Sequence, residues 1–387
     1  MHAPILKYLP EYPLPQADQI TLHHLLSHTS GLVRDIPQRD SLPKYPDRQR
    51  LPEVVGQFSQ LPLQFPPGER FAYNNCGYSL LGHILETVTG KSYESLLQER
   101  ILDPLQMKDT GIDKHRPLIK KRAQGYFKSF GEYYHANYID TSPITAVGNL
   151  YSTVEDLNRW AAATHSTKLL PEAYWELILA KQAEDVQYGG YYGYGWELLE
   201  KPVGTSERKV ATLGHSGATE GFCALYTYLP ETKSAIILLS NHRRAYLNTL
   251  TTALTGILYG EAYSFPKKPL AQFMAQVIQK DGVEKGIRFY KAHQGDSNYY
   301  IDETELIVEG YQLLHAGNAE AAAAVFLLST EVYPDRDNPF DSYAEALLTL
   351  GDTEGAIENY QKSLELNPNN RNAIKQLEAL GVVIDDW

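Results

Sequence analysis

Residues 221–239 read Gly-Phe-Cys-Ala-Leu-Tyr-Thr-Tyr-Leu-Pro-Glu-Thr-Lys-Ser-Ala-Ile-Ile-Leu-Leu, and this stretch predicts a β-hairpin. Aromatic and β-branched residues recur along 221–229, residues 235–239 are all aliphatic, and the Pro-Glu-Thr-Lys at 230–233 supplies the turn. Working back along the chain, Tyr194-Gly195-Trp196 and Val210-Ala211-Thr212-Leu213 predict two further strands. Strands that follow one another through tight turns pair antiparallel, so we expect an antiparallel sheet.

Helices are predicted on both sides of this sheet in the chain. Apolar residues repeat at helical spacing from Gly77 to Thr89, where Gly90 ends the pattern, and Ser92 caps a helix that runs to about Ile101. Ser152-Thr153-Val154-Glu155 has the form of a capping box, with the serine as N-cap. Residues 246–259 are helical again. Helices before and after a block of antiparallel strands predict an α+β domain.

The C-terminal part repeats at a fixed period. Four pairs of similar residues lie 34 residues apart: Gly317 and Gly351, Ala322 and Ala356, Phe326 and Tyr360, Pro334 and Pro368. This period predicts an all-α region of tetratricopeptide-like repeats. We therefore expect three parts: a first domain over residues 1–264, a linker over 265–271, and helical repeats over 272–387.

The composition limits the classes of partner. The chain has 387 residues, 43% of them hydrophobic, and a net charge of −12. Because phosphate binding needs clustered Lys and Arg, this charge argues against nucleic acid. No apolar run approaches the roughly 20 residues of a membrane span, and no signal peptide is visible at the start. Two distant cysteines, Cys76 and Cys223, form no disulfide framework or metal motif, and we expect both to be buried apolar residues. Each follows a candidate motif, so a position near a cleft is the alternative.

Two triplets carry chemically capable side chains in a particular order. Tyr73-Asn74-Asn75 precedes the helix at 77–89, and His215-Ser216-Gly217 follows the strand at 210–213. The neighbouring landmarks are Leu25-Leu26-Ser27-His28-Thr29-Ser30-Gly31, Pro66-Pro67-Gly68, Leu150-Tyr151-Ser152 and Tyr194-Gly195-Trp196. This order, over about residues 5–262, resembles the β-lactamase-related serine hydrolases, whose members include penicillin-binding-protein-like and class C β-lactamase-like enzymes.

The resemblance implies a β-lactamase/transpeptidase-like fold and a role for each matched residue. Tyr73, its phenol either lowered in pKa or polarised by nearby cations, would carry the proton of the serine on to the leaving group. Asn75 would position the substrate carbonyl or a lysine. His215 would replace the lysine of many relatives as an electrostatic or hydrogen-bonding edge, as in the esterase, D-aminopeptidase and amidase branches. The remaining implied contacts are substrate binding by Ser216 and Gly217 and a backbone oxyanion donor at Ala218.

Other polar and aromatic residues near the triplets leave alternatives open. His28 resembles a catalytic residue, but we interpret it as structural, bonding the backbone behind the cleft. The tyrosines at 191, 192 and 194 fit either a binding rim or an aromatic-rich strand edge. We expect no cofactor and no metal.

The nucleophile of the family, a Ser-x-x-Lys that opens a helix, has no convincing match in this sequence. The pattern occurs at Ser41 and Lys44, at Ser206 and Lys209, and at Ser264 and Lys267. Pro43 interrupts the first, the second is a polar turn, and the third lies in the predicted linker. We therefore expect an N-terminally truncated or late-start chain that lacks its nucleophile and is inactive in acyl transfer.

Two functions of different class remain open from the sequence. One is a serine hydrolase that cleaves esters, amides or D-amino-acid peptides through an acyl-enzyme. The other is a non-catalytic pseudoenzyme that binds a ligand or peptide. In both, we expect a small molecule or peptide in the cleft and a protein partner at the helical repeats. Export to the periplasm or the extracellular space is implied by the resemblance alone.

Overall fold

The computed structural model describes residues 1–36, 49–114, 117–164, 166–186, 189–243 and 245–382. These residues form two compact units, which are described separately. The first contains Met1–Phe127 and His135–Phe265, and the second contains Lys128–Tyr134 and Pro266–Trp387. Within the described ranges, no helix combines the length and the apolar character needed to cross a membrane.

The helices of the first unit flank its strands in the chain, as predicted. They are α1 Leu22–Leu26, α2 Leu51–Gly56, α3 Asn75–Thr89, α4 Tyr93–Leu97, α5 Asp103–Leu105, α6 Val154–Thr164, α7 Glu172–Ile178 and α8 Leu247–Tyr259. A π-helical turn, Gln98–Leu102, connects α4 and α5, and 3-10 turns occupy Ile5–Lys7 and Ser142–Ile144.

Helix α3 is fixed at both ends by the residues that its sequence supplies. The side chain of Asn74 accepts a hydrogen bond from the backbone N–H of Gly77, and Gly90 closes the helix at φ +68°. Its buried face carries Cys76, Leu80 and Ile84, which pack in one apolar cluster with Leu25 of α1. Burying each large aliphatic side chain contributes roughly 1.5–3 kcal/mol. This cluster therefore fixes the start of α3, and with it the Tyr73-Asn74-Asn75 triplet, against α1.

The N-terminus of α6 differs from the prediction by one residue. Helix α6 begins at Val154, so Thr153 is the cap, and its hydroxyl accepts from the N–H of Asp156. The hydroxyl of Ser152 instead lies 2.7 Å from that of Thr110. The predicted capping box with Ser152 as N-cap is therefore wrong, because tertiary contacts to Thr110 hold that serine outside the helix.

The strands of the first unit form a six-stranded antiparallel sheet in the order β10-β9-β8-β7-β6-β5, together with a two-stranded pair of β1 Gly111–Ile112 and β4 Leu150–Tyr151. A further pair joins β2 Tyr126–Ser129 to β3 Glu132–His135, and most of it, Lys128–Tyr134, belongs to the second unit. The large sheet contains β5 Ala183–Asp185, β6 Gly190–Tyr192, β7 Glu197–Pro202, β8 Lys209–Thr219, β9 Phe222–Leu229 and β10 Ser234–Ser240. The predicted hairpin is confirmed, since Leu229 pairs with Ser234 and Cys223 with Ser240.

One predicted strand is a turn. Tyr194-Gly195-Trp196 lies between β6 and β7, and Gly195 has φ +80°. That backbone conformation favours glycine, so the residue reverses the chain instead of extending it. Strands occur on both sides of the triplet.

The second unit is mainly helical. It contains β11 Lys268–Pro269, α9 Leu270–Asp281, α10 Val283–His293, β12 Tyr299–Tyr300, α11 Glu303–His315, α12 Ala319–Val332, α13 Asp337–Leu350, α14 Thr353–Leu366 and α15 Arg371–Ala379. The predicted linker, 265–271, is shorter in the structure, because Lys268 and Pro269 pair with Tyr299 and Tyr300 and Leu270 is fully buried.

The residues spaced by 34 occupy matching positions in this helical unit. Phe326 and Tyr360 are both fully buried, each against a small residue of the preceding helix: Gly310 touches Phe326, and Ala344 shares an apolar cluster with Tyr360. Because small residues let two helices approach closely, each aromatic ring can fill the seam between a pair of helices.

Candidate active site

An open cleft of about 1890 Å³ collects the side chains of both chemical triplets. It lies within the first unit, between the start of α3 and the C-terminal part of β8. All the site residues predicted from the sequence line it: Tyr73, Asn75, His215, Ser216, Gly217 and Ala218. The tertiary fold thus brings together residues that are about 140 positions apart in the chain.

Tyr73 stands just before α3 in an aromatic environment. Its ring centre lies 4.2 Å from that of His28 and 6.0 Å from that of His215, and the Arg34 guanidinium lies 5.9 Å away. Burial raises the pKa of the Tyr73 phenol and Glu197 raises it further, against a smaller lowering by Arg34. The expected lowering of this pKa by cations is therefore wrong for the chain in this structure: desolvation and a carboxylate outweigh the one guanidinium.

Asn75 is the first residue of α3, and its contacts bind it to the segment after Gly31. Its backbone N–H donates to the carbonyl of Arg34 at 2.7 Å, and its amide Nδ2 donates to Asp35 Oδ1 at 2.6 Å. The side chain is therefore oriented by a carboxylate at the cleft wall. A charged acceptor makes this one of the stronger types of hydrogen bond.

The other wall is the C-terminal part of β8. Strand β7 pairs with β8 only as far as Gly214, whereas β9 continues to pair through Thr219. Among the described strands, residues 215–219 therefore have a partner on one edge only, and their other edge faces the cleft. A Cβ built on Gly217 would meet no atom within 4 Å, so this position leaves open space along the strand.

His28 has the structural role that we inferred from the sequence. It is 1% exposed, and its Nδ1 accepts a hydrogen bond from the backbone N–H of Asn74 at 3.1 Å. Its own carbonyl accepts from the N–H of Ala72 at 2.9 Å. Burial, and to a smaller extent His215, lower the pKa of the His28 imidazole to about 3.

Tyr192, one of the three tyrosines that fit either a binding rim or a strand edge, lines the cleft. Its hydroxyl lies 3.3 Å from Nε2 of His28 and 2.9 Å from Nε2 of His215. Tyr192 is part of the cleft lining although it is only 2% exposed, whereas Tyr194 and Tyr191, which are 7% and 37% exposed, are not among the lining residues. Alternation along β6 was the available signal, since neighbouring strand residues point to opposite faces.

The Ser-x-x-Lys matches stay outside the cleft where the structure describes them. The pairs at Ser206 and Lys209 and at Ser264 and Lys267 are absent from its lining. Ser41 and Lys44 lie outside the described residues.

The two cysteines differ in their surroundings. Cys76 is 2% exposed, and burial raises the pKa of its thiol to about 12. Cys223 is only half-buried at the cleft, and its thiol donates to the carbonyl of His242 at 3.2 Å. The prediction of burial is confirmed for Cys76 and wrong for Cys223, because β9 reaches the open cleft at that residue.

The sequence profile of the family described as Beta-lactamase matches residues 1–278. The chain belongs to this family. It is 27% identical over 285 residues to Penicillin-binding protein 4* of Bacillus subtilis (strain 168), covering 68% of this chain and 60% of that protein. It is also 27% identical over 267 residues to a Beta-lactamase of Escherichia coli (strain K12), covering 62% of this chain and 67% of that protein.

Solved structures of the family share the fold. The D-amino acid amidase from Ochrobactrum anthropi SV3, complexed with L-phenylalanine, is 26% identical with a TM-score of 0.57, covering 67% of this chain and 76% of that one. A penicillin binding protein from Bacillus halodurans is 26% identical with a TM-score of 0.51, covering 64% and 78% of the two chains. The chain spans 60% and 54% of the length of the first two curated relatives that it matches.

Proposed function

We propose that this chain forms two walls of an acyl-transfer site, which hydrolyses small esters, amides or D-amino-acid peptides through an acyl-enzyme. The observation that carries the proposal is the convergence of Tyr73, Asn75 and His215-Ser216-Gly217 on one cleft. A relative described as a penicillin-binding protein and another described as a D-amino acid amidase support this reaction class.

Tyr73 is assigned the proton shuttle. Because burial raises the pKa of its phenol, the side chain carries its proton at neutral pH. In the proposed reaction the ionised phenolate accepts the proton of the attacking serine and then passes it to the leaving group. A lysine next to the phenol would lower the pKa of Tyr73 and ease this exchange.

The β8 wall of the cleft and the side-chain amide of Asn75 bind the substrate. Asn75, oriented by Asp35, presents its carboxamide to the substrate carbonyl or to the lysine. Ser216 and Gly217 accommodate the acyl group, since the strand is open at Gly217. The N–H of Ala218 supplies one donor for the tetrahedral oxyanion, and His215 forms the neighbouring edge. One such donor typically contributes about 10²- to 10³-fold in rate.

The nucleophile is proposed to come from a Ser-x-x-Lys segment outside these 387 residues, so that the chain by itself does not transfer acyl groups. The position of the two described Ser-x-x-Lys pairs away from the cleft supports this. A binding function without chemistry is the alternative, and the same cleft and the same open strand edge would serve it.

The helical unit is proposed to be a tetratricopeptide-like interaction module. The burial of Phe326 and Tyr360, 34 residues apart, supports the repeat. A protein partner is expected at its helices. Cross-linking in the source cells, read by mass spectrometry, should give reproducible links from residues 303–379 to one other protein, whereas links within the chain only would contradict a partner.

Labelling with a fluorophosphonate tests the acyl-transfer proposal. The 387-residue chain and the native gene product are treated in parallel, and the modified residue is mapped by mass spectrometry. We expect no stoichiometric label within residues 1–387, and a label in the native product on a serine one helical turn before a lysine. A label on any serine of this chain would refute the external nucleophile.

Hydrolysis by the native product separates the two functions. We expect turnover of a D-amino-acid amide or a small ester. A native product that binds such ligands but shows neither label nor turnover would replace the hydrolase by the binding function.

A further inference from the structure

Three side chains from different parts of the first unit form one continuous series of hydrogen bonds. His28 follows α1, Tyr192 ends β6, and His215 lies on β8. Their contacts measure 3.3 Å between His28 Nε2 and the Tyr192 hydroxyl, and 2.9 Å between that hydroxyl and His215 Nε2. At its far end, Nδ1 of His215 lies 2.7 Å from the carbonyl oxygen of Ser216.

At the buried end of this series of hydrogen bonds, a backbone N–H determines which atom of each pair is the donor. The N–H of Asn74 can only donate, and it points at Nδ1 of His28 over 3.1 Å. Nδ1 therefore carries no proton, so the neutral ring bears its proton on Nε2 and donates it to Tyr192. The tyrosine oxygen accepts that proton and turns its own O–H toward Nε2 of His215.

The contact at the His215 end of the series requires the same assignment of donors and acceptors. The carbonyl of Ser216 can only accept, so Nδ1 of His215 must carry the proton that lies between them. A neutral ring with Nδ1 protonated has an unprotonated Nε2, which is the acceptor that the Tyr192 hydroxyl requires. Two independent backbone groups, the N–H of Asn74 and the C=O of Ser216, thus demand the same arrangement of protons.

A second proton on the His215 ring would change this arrangement of hydrogen bonds. A second proton on Nε2 would face the Tyr192 oxygen, which already accepts from His28, and would turn the tyrosine proton away from His215 toward the neighbouring Tyr78 hydroxyl. The titratable groups around His215 are His28, Tyr73, Tyr192, its cross-strand neighbour Tyr226, and the carboxylate of Glu197, which raises the pKa of both Tyr73 and Tyr192 and lines the same cleft. The direction of the hydrogen bonds, and not the charge of the surroundings, is therefore the ground for this arrangement of protons.

We propose that Tyr192 is a positioning residue that holds His215 in the neutral form with its proton on Nδ1, and fixes its ring against the cleft wall. Both ring nitrogens are then engaged by the protein. His215 offers neither a positive charge nor a free N–H to a ligand, which leaves Ser216 and the open backbone edge of β8 as the donors and acceptors on this wall.

The consequence for specificity rests on the proposed function. A lysine at the position of His215 would attract a carboxylate on the substrate, whereas a neutral, fully engaged imidazole does not. The cleft therefore favours acyl substrates without a carboxylate at this edge, such as simple esters and amides, over carboxylated ones.

NMR spectroscopy measures directly which ring nitrogen of His215 carries the proton. The chain is labelled with ¹⁵N-histidine, and long-range ¹H–¹⁵N correlation spectra distinguish protonated from unprotonated ring nitrogens. The His215 signals are assigned by their loss in His215→Asn. We expect protonated Nδ1 and unprotonated Nε2 at pH 7. A proton on Nε2, or shifts averaged between the two neutral forms, would overturn the proposal.

Tyr192→Phe isolates the hydroxyl, and Tyr191→Phe, one residue away on the exposed face, is the matched control. In Tyr192→Phe we expect the ¹⁵N shift of His215 Nε2 to change, because that nitrogen loses its O–H donor, while Nδ1 keeps its proton against the Ser216 carbonyl. The control should leave the His215 shifts unchanged, and an unchanged Nε2 shift in Tyr192→Phe would contradict the positioning role. If Tyr192→Phe does not fold, the wild-type spectrum still decides the protonation pattern.

Steady-state kinetics of the native product test whether the state of His215 affects the choice of substrate. Tyr192→Phe should raise KM for an uncharged ester by about 2- to 10-fold, the effect of one net hydrogen bond, with a smaller change in kcat. The spectra need no substrate, so an absence of hydrolysis would defeat the proposed function and leave the spectroscopic result standing.

Discussion

The imidazole of His28 accepts, through Nδ1, a 3.1 Å hydrogen bond from the backbone N–H of Asn74. This contact connects the residue after α1 to the turn that carries Tyr73 and Asn75. His28 itself has φ +56°, a conformation that is uncommon for a residue with a side chain. The surrounding packing therefore holds this residue in place, and the geometry of one cleft wall depends on it.

Replacement of His28 should destabilise the first unit. In His28→Ala the buried N–H of Asn74 loses its acceptor, which costs about 1–3 kcal/mol, in addition to the lost packing of the ring. Chemical denaturation measures the change in free energy of unfolding, and His135→Ala, at an exposed position, is the control. Equal stability of the two variants would contradict the role of His28.

The same residue predicts an acid-dependent loss of stability. Burial lowers the pKa of His28 to about 3, below its ordinary value of 6.5, so the unfolded chain binds this proton more tightly. The stabilisation is complete above pH 6.5 and is lost as the pH falls toward 3.

A comparison of variants isolates that dependence from other groups. The difference in unfolding free energy between the wild type and His28→Asn should shrink between pH 7 and pH 4.5. Asparagine is chosen because it tolerates positive φ. A difference that stays constant over this range would show that His28 does not titrate as its burial requires.

Tyr73→Phe should abolish most turnover in the native product. General acid–base catalysis contributes typically about 10²- to 10⁴-fold, and phenylalanine keeps the ring packing on His28 while removing the proton. We expect a loss of that size in kcat with little change in KM. Tyr191→Phe is the control in the same assay, and near-normal turnover by Tyr73→Phe would remove this residue from the mechanism.

Asp156 fixes the segment that contains Asp109 and Thr110, two residues of the cleft lining. Its carboxylate is fully buried, and it accepts from the N–H of Asp109 and the hydroxyl of Thr110, each at 2.8 Å, while Arg159 pairs with its other oxygen. Asp156→Ala should lower the free energy of unfolding by about 2–3 kcal/mol, because buried donors lose an ionised acceptor. Glu155→Ala, its exposed neighbour, should be close to neutral in the same denaturation experiment.

Gly310→Ala should destabilise the helical unit. A Cβ at this position would overlap the buried ring of Phe326, so one of the two helices must shift. Overpacking of this kind costs typically about 1–3 kcal/mol. The helical signal on thermal unfolding of the full chain measures the effect. Gly295→Ala, where a Cβ meets no atom within 4 Å, is the control, and a similar response of both would argue against close packing at Gly310.

Much of the fold followed from local patterns. The hairpin of β9 and β10 and the helix α3 were predictable because their side-chain periods and end residues agree with one conformation. Tyr194-Gly195-Trp196 was predicted wrongly because aromatic content outweighed the glycine, whose positive φ makes a turn. Ser152 was misplaced because its hydroxyl bonds Thr110, a partner from a distant part of the chain.

The sequence by itself determined the α+β arrangement, the family, and the grouping of Tyr73, Asn75 and His215, which line one cleft, since these depend on periodicity and on the order of motifs. Only the tertiary structure decided the state of those residues. Burial raises the pKa of Tyr73, Asp35 orients Asn75, and Tyr192 bridges His28 and His215. Desolvation and hydrogen-bond direction depend on neighbours brought from distant segments, and no local pattern specifies those.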